Sequence, residues 1–573
     1  MKVNRFITLC IFSISLPSYA INQDTSHARF HPVIAPNGMV VSEETHATQA
    51  GLDILQQGGN AVDSAVATAF ALSVTYQQGG GLGGGGFMLV HMADKNKTIA
   101  INYREEAPLA ATHDMFLDKN GQVDREAISH THRSAGIPGT VAGLVYAHEQ
   151  FGKLPLEKVM QPAIDLAENG FVIGEQFAQN LVQRKDQISK WPASRAVYMP
   201  NDKLLVAGDK LVQKDLAQSL RLIAKDGSQA FYQGEIGKKI IKNMQQNGGL
   251  VTQKDLEHYA VDELAPVTGT FDNYKIVSMP PPSAGGIALI QLLDLLEPFP
   301  LSQWGLNSAQ TMQVMAEAMN LVFADRSYLA DPQFVQNPVQ RLLAPTYLDK
   351  RRKLINTTQH TPATTIKPGL EMKEHKPVKE TTQTTSFSVV DKDRNLVANT
   401  FSLNYMLGTA IIVPGTGIVL NNHMDDFAAA VNTPNAYGLV GSAVNEILPG
   451  KRPLSSMAPT FIFDEKGNPV MVTGAMGGSR IITILLQVVL NVLEHNLDVA
   501  TATASPRLHS QWLPDELSIE EGFSNDTLNI LKKQGNNVQL QPRAGSAQSI
   551  VIWNDKLYGA ADPRTETSKA LGY

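Results

Sequence analysis

Gln383-Thr384-Thr385-Ser386-Phe387-Ser388-Val389-Val390 places a threonine at the head of a β-prone run, two-thirds of the way along the chain. Threonine is a weak nucleophile inside a chain. As a first residue it becomes a good one, because its own α-amino group takes the hydroxyl proton. The residues therefore raise one question: whether the chain is cut between Gln383 and Thr384. Threonine also suits strands for steric reasons, so the Thr-Thr pair alone does not answer it.

Working outward, 385–390 reads as a strand, Asp391-Lys392-Asp393-Arg394-Asn395 as a turn, and 396–402 as the returning strand. Upstream, about 357–382 is rich in Thr, Lys, Glu and Pro with almost no apolar periodicity, and reads as an exposed, mobile connector.

Eight motifs, in order along nearly all of the chain, resemble those of the γ-glutamyltransferases, the bacterial periplasmic members above all. Four are Leu82-Gly83-Gly84-Gly85-Gly86-Phe87, Tyr103-Arg104-Glu105-Glu106-Ala107-Pro108, Gly136-Ile137-Pro138-Gly139 and Pro280-Pro281-Pro282-Ser283-Ala284-Gly285-Gly286. The others are Thr384 to Asp391, Asn421-Asn422-His423-Met424-Asp425-Asp426-Phe427, Lys451-Arg452-Pro453-Leu454-Ser455-Ser456-Met457 and Gly474-Ala475-Met476-Gly477-Gly478-Ser479-Arg480. The resemblance implies an α+β fold, the four-layer α/β/β/α sandwich of N-terminal-nucleophile hydrolases. It implies a precursor cut into a large chain, 21–383, and a small catalytic chain, 384–573, which stay together as a heterodimer. It also implies glutathione and other γ-glutamyl compounds as donors, amino acids or peptides as acceptors, and no cofactor or metal.

The first residues carry Lys2 and Arg5, an apolar run from Phe6 to Leu16, and then Ser18-Tyr19-Ala20. This is the pattern of a secretory signal peptide over 1–20. The run is too short to span a bilayer. We therefore expect a soluble periplasmic or secreted protein with no membrane anchor. The single cysteine, Cys10, lies in that segment, so a mature chain would have no disulfide and no thiolate. Losing Lys2 and Arg5 takes the formal charge from −6 to −8, which argues against a nucleic-acid partner.

Apolar spacing near 3.6 predicts helices over 47–57, 61–74, 141–151, 156–168, 213–225, 309–330 and 480–495. Gly58-Gly59-Asn60 reads as a helix stop followed by an N-cap. Strands are expected at 87–91, 276–278, 411–413, 460–463 and 470–473 besides the hairpin. Two sheets flanked by helices fit this pattern.

The glycine-rich stretch 79–86 lacks the Gly-Lys-Ser/Thr ending of a phosphate loop, and its spacing fails the dinucleotide fingerprint. It reads as a tight turn feeding a buried strand. Arg104 beside Glu105 and Glu106 reads, by itself, as a solvated surface pair. The resemblance instead gives Arg104 the α-carboxylate of a glutamyl substrate, which suits a guanidinium fork. It gives Ser455 and Ser456 hydroxyls to the same carboxylate, Asp426 to the α-ammonium, Asn404 to the substrate, and the N–H groups of Gly477 and Gly478 to the oxyanion. Asp425 is read as structural. Ser402 stands where the family commonly has a threonine supporting Thr384. His423 stands where bacterial members have glutamine and mammalian ones glutamate, in contact with the substrate amine. The segment 431–442, with Tyr437, resembles a lid loop. Two other readings stay open: a related acylase for glutaryl or poly-γ-glutamate substrates, and a periplasmic binding protein without chemistry.

Overall fold

The computed structural model describes residues 23, 25, 26, 28–371, 384–429 and 442–573. The signal segment, Gln383 and Tyr437 lie outside the described residues. Among those described, no helix is long and apolar enough to cross a membrane.

The hairpin organises one sheet. Thr385–Val390 pairs antiparallel with Leu396–Ser402, Thr385 facing Phe401 and Val390 facing Leu396. The turn is set by Asp391, whose Oδ1 accepts from the Asp393 and Asn395 N–H groups at 2.9 Å each, while Arg394 takes a φ of 63°. On its other edge Thr385–Val390 pairs with Met39–Ser42, Phe387 facing Ser42. Lys569–Gly572 flanks that strand, and Gly85–Met92, Lys97–Tyr103 and Asp262–Leu264 extend the far side, giving seven strands. A second seven-stranded sheet runs Val33–Ala35, Lys556–Ala561, Ser546–Trp553, Pro469–Met476, Thr460–Phe463, Tyr274–Ser278 and Val267–Phe271.

Both faces of the strands are buried, so the residues alternate between two cores. Phe387, Val389, Val397, Met88 and Val90 join one apolar cluster with the helices Thr45–Gln56, Ala61–Thr75 and Thr140–Phe151. Val390, Leu396, Ala398, Phe87 and Leu89 join the other, with Met471, Val472 and Ile550 of the facing sheet and the helices Gly285–Leu296 and Arg480–Leu493. This period of two produces helix, sheet, sheet and helix in layers. Polar side chains also line the inter-sheet face: Ser388 Oγ donates to the Gln548 carbonyl at 2.8 Å, and a Cβ on Gly474 would sit 2.4 Å from Ser386 Oγ.

Helix ends follow local chemistry. Gly58 has a φ of 92°, and Asn60 forms a reciprocal capping box with Asp63. All fifteen residues of Ala61–Thr75 are buried, which explains its lack of a polar face. Three expectations need correction. The helix expected over 309–330 ends at Asp325 and tightens to a 3-10 turn, Arg326–Tyr328, because Asp325 is tied down by Arg351 at 3.1 Å and the Gly369 N–H at 2.8 Å. The apolar run 411–413 is no strand. It is a buried loop with one bridge, Ile412 to Val419, because positive φ at Leu407, Gly408 and Ala410 just upstream breaks an extended ladder. The start of the expected exposed connector is docked: Ala363 and Ile366 are buried, and Trp512 Nε1 donates to the Ala363 carbonyl at 2.8 Å. Two apolar residues and one aromatic donor pin a segment whose composition reads as solvated.

Candidate active site

Thr384 heads the hairpin and is 3% exposed. The glycine-rich turn closes around it. A Cβ on Gly79 would lie 2.6 Å from both the Thr384 carbonyl oxygen and the Tyr76 ring, and one on Gly84 would lie 1.9 Å from the Ser402 carbonyl oxygen. These glycines are where backbone meets backbone, which a side chain would prevent. The Gly84 carbonyl accepts from the Gly139 N–H at 2.8 Å, so 136–139 braces the same turn. Ser402 Oγ accepts from the Asn404 N–H at 2.8 Å, and Asn404, at a φ of 77°, donates its side-chain N–H to the Asn422 carbonyl at 2.9 Å. Asn404 thereby ties the hairpin headed by Thr384 to the turn that holds His423 and Asp426.

That turn carries a buried charge cluster. Arg104, read from composition as solvated, is 1% exposed and Glu105 is 0% exposed. The Arg104 guanidinium binds Asp426 Oδ2, approaches Glu105 Oε2 at 3.5 Å, and donates through Nε to the Pro453 carbonyl at 3.4 Å. His423 Nδ1 lies 2.7 Å from Glu105 Oε1, off the hydrogen-bonding line, and Nε2 lies 3.9 Å from Asp426 Oδ2. The imidazole therefore sits between two carboxylates, with Glu105 its nearer partner.

The remaining expected residues divide by their partners. Ser455 Oγ accepts from the Met457 N–H at 3.1 Å, and the Ser455 carbonyl receives the Ala284 N–H at 2.8 Å, so the Pro280–Gly286 motif sets the serine turn. Ser456 is fully buried, and its hydroxyl has no partner among the described residues. Such a group is costly unless a ligand meets it. Gly477 and Gly478 adopt φ of 137° and 59° at the end of Pro469–Met476, where the Tyr76 hydroxyl reaches the Met476 sulfur at 3.8 Å. Tyr76 thus touches both Gly79 and the residue before Gly477.

Several functional supports were missed in the sequence. Asn421 accepts from the Gly136 and His423 N–H groups at 2.9 and 3.0 Å, and donates to the Gly83 and Gly136 carbonyls at 2.7 and 2.9 Å. It satisfies four backbone groups at once, and only the Asn-Asn pair in its motif hints at that. Arg452 is buried, pairs with Glu106 at 2.7 Å and donates to the Arg104 carbonyl at 2.7 Å. Burial pushes the Glu106 carboxyl up to about 7, against the pull of Arg452. Asp425 faces away from Arg104: it receives the Tyr405 hydroxyl and lies 3.6 Å from Arg125. Its burial raises the carboxyl to about 7.

A hairpin that presents a threonine at its head, within one of two facing seven-stranded sheets covered by helices, defines the N-terminal-nucleophile hydrolase class. A crystal structure of cephalosporin acylase from Bacillus halodurans is similar over 99% of both chains, with a TM-score of 0.85 and 26% identity. The Helicobacter pylori gamma-glutamyltranspeptidase structure matches 57% of this chain and 95% of its own, at a TM-score of 0.56 and 40% identity. The family model for gamma-glutamyltranspeptidase matches residues 47–572, and the chain belongs to that family. It is 47% identical over 559 residues to the glutathione hydrolase proenzyme of Escherichia coli, covering 97% of this chain and 94% of that one.

Proposed function

We propose that the protein is an exported γ-glutamyltransferase and glutathione hydrolase, made as a precursor and cut between Gln383 and Thr384. The observation that carries this reading is the buried pairing of Arg104 with Asp426. A cation and an anion kept together out of water are an unusual expense. They match the carboxylate and ammonium of a free amino-acid headgroup, with Ser455 and Ser456 adding hydroxyls to the carboxylate.

In the reaction, the Thr384 α-amine takes the hydroxyl proton as Oγ attacks the γ-carbonyl carbon. The Gly477 and Gly478 N–H groups face the developing oxyanion, each worth about 10²–10³ in rate. The carbon–nitrogen bond breaks, the proton passes to the leaving amine, and a γ-glutamyl ester remains on Thr384. Water, or the amine of an amino acid or peptide, then attacks that ester and returns the proton to Oγ. Ser402, placed by its bond to Asn404, supports the nucleophile.

The likeness to cephalosporin acylase favours one second reading, an acylase for glutaryl-type side chains. Such an acyl group lacks the amine that Asp426 would meet. Parallel assays on γ-glutamyl and glutaryl anilides separate the two readings. Faster release from the γ-glutamyl anilide is expected; faster release from the glutaryl compound would make the protein an acylase. No release from either, by a protein that stays one band on a denaturing gel, would leave only binding.

A further inference from the structure

The two ends of the proposed headgroup pocket come from different stretches of chain. Asp426 ends the 3-10 turn His423–Asp426, and Ser455 and Ser456 follow Leu454 in another turn. Arg104 reaches both stretches, through its pair with Asp426 and through Nε to the Pro453 carbonyl. On the proposed function that guanidinium would turn to the substrate, so the width of the pocket needs a brace that takes no part in the exchange. One buried residue outside both motifs supplies it. Asn445 is 1% exposed and ends the 3-10 turn Ala443–Asn445. Its side-chain N–H donates to the Asp426 carbonyl at 2.8 Å, and its Oδ1 accepts from the Leu454 N–H at 3.0 Å, one residue before Ser455. Its own carbonyl accepts from the Ala428 N–H at 2.9 Å, two residues beyond Asp426.

An amide suits this place because it offers a donor and an acceptor on one planar group. Its two partners are a backbone carbonyl and a backbone N–H, so only one orientation satisfies both. An ionised carboxylate of the same shape would offer acceptors alone. The turn that carries Asn445 is fastened from behind. Ser442 Oγ donates to the Ser327 carbonyl at 3.1 Å, and the buried Lys451 donates through Nζ to the Val444 carbonyl at 2.6 Å. The Lys451 carbonyl in turn accepts from the Ala107 N–H at 2.8 Å, three residues past Arg104. Groups that grip a ligand hold their geometry only when such a supporting layer is itself fixed.

We propose that Asn445 is a positioning residue that sets the spacing between Asp426 and the Ser455–Ser456 turn, so that one γ-glutamyl headgroup is gripped at its ammonium and its carboxylate together. This role rests on the γ-glutamyl reading of the pocket. Asn445 acts through Asp426 and Leu454, because both ends of its side chain are engaged by backbone. The headgroup is held alike before and during the reaction. Losing the brace therefore weakens uniform binding, which raises KM and leaves kcat nearly unchanged.

Asn445→Asp is the test, since the Leu454 N–H keeps its acceptor while the Asp426 carbonyl loses its donor and faces a carboxylate. KM for a γ-glutamyl anilide should rise about tenfold at about pH 8, with kcat within about twofold of wild type. A protonated carboxyl can donate and accept as the amide does. Burial and the acidic neighbours Asp425, Asp426 and Glu446 favour that proton, while Lys451 and Arg104 oppose it. The ratio of variant to wild-type KM should therefore fall back towards one as pH is lowered from about 8 to about 5. A merely structural defect would lower kcat through the active fraction and would not be reversed by a proton. A KM ratio of one throughout, a loss in kcat alone, or a raised KM that no proton reverses would overturn the role. Should Asn445→Asp fail to fold, Asn445→Ser opens both bonds without adding charge. It should raise KM similarly at every pH, and an unchanged KM would overturn the role. Wild type separates the two claims. If it ignores the γ-glutamyl anilide, the γ-glutamyl reading falls and this role falls with it. Normal wild-type turnover beside an unaffected Asn445→Asp refutes the role of Asn445 alone.

Discussion

Arg104 and Asp426, 322 residues apart in sequence, satisfy one another inside the protein. On the proposed function, substrate binding would be an exchange: the amino-acid headgroup would replace an internal ion pair with two external ones of the same signs. Arg104→Ala removes the cation and leaves Asp426 and Glu105 buried without it, a loss of about 3–5 kcal/mol for a broken buried pair. Turnover of a γ-glutamyl anilide should fall at least tens-fold in kcat/KM, while cleavage into two chains persists. Arg104→Lys should recover only part, lacking the planar fork. Unchanged turnover by Arg104→Ala would remove this residue from the site.

Maturation is expected to be autocatalytic, with the Thr384 hydroxyl attacking the Gln383 carbonyl and water hydrolysing the resulting ester. Thr384→Ala should run as one band on a denaturing gel, whereas wild type gives bands near about 40 and 20 kDa, at roughly 110 Da per residue. Thr384→Ser should still process. The same two bands from Thr384→Ala would show that another agent makes the cut.

Asp425 gives the protein a specific pH dependence. Its carboxyl is raised to about 7 by burial. The folded state therefore holds a proton there that the unfolded state has already released above the ordinary carboxylate range. The stabilising contribution is fully present at low pH and is lost as pH rises through about 7. Asp425→Asn, which can still accept from Tyr405, should gain in melting temperature relative to wild type between pH 5 and pH 8. Parallel curves for the two proteins would refute this.

Gly477 is held at a φ of 137°, and a Cβ there would come within 3.2 Å of Gly545 Cα and 3.3 Å of Ile484 Cδ1. Gly477→Ala forces a backbone shift costing about 1–3 kcal/mol. We expect a lower melting temperature and, on the proposed oxyanion role of its N–H, a fall in kcat larger than any change in KM. A normal kcat would exclude Gly477 from the oxyanion site.

The sequence made the layers legible because strand and helix periods survive burial: the hairpin 385–402 lies where its alternation places it. It also disclosed the glycine turn as a packing device, since the stretch lacks the residues that hold phosphate. What stayed hidden depends on long-range partners. Glu105 looks solvated until Arg104 and His423 close over it, and Ala363 belongs to a polar segment until Trp512 donates to its carbonyl. Asn421 is one of many asparagines by composition, and only the fold shows the four backbone groups it serves. No local pattern encodes such pairings.

The strand orders carry one more consequence. In the sheet of the hairpin, Lys569–Gly572 and Thr385–Val390 enclose Met39–Ser42, and in the other sheet Val33–Ala35 and Tyr274–Ser278 bracket four strands from beyond residue 383. A cut ahead of Thr384 therefore severs the backbone without creating two separable bodies. Each sheet is completed only by strands from both sides of the cut, so parting the pieces would bare the edges of Thr385–Val390, Leu396–Ser402, Thr460–Phe463 and Lys556–Ala561. Such a cut would liberate an amine at the head of a strand that is hydrogen-bonded along both edges.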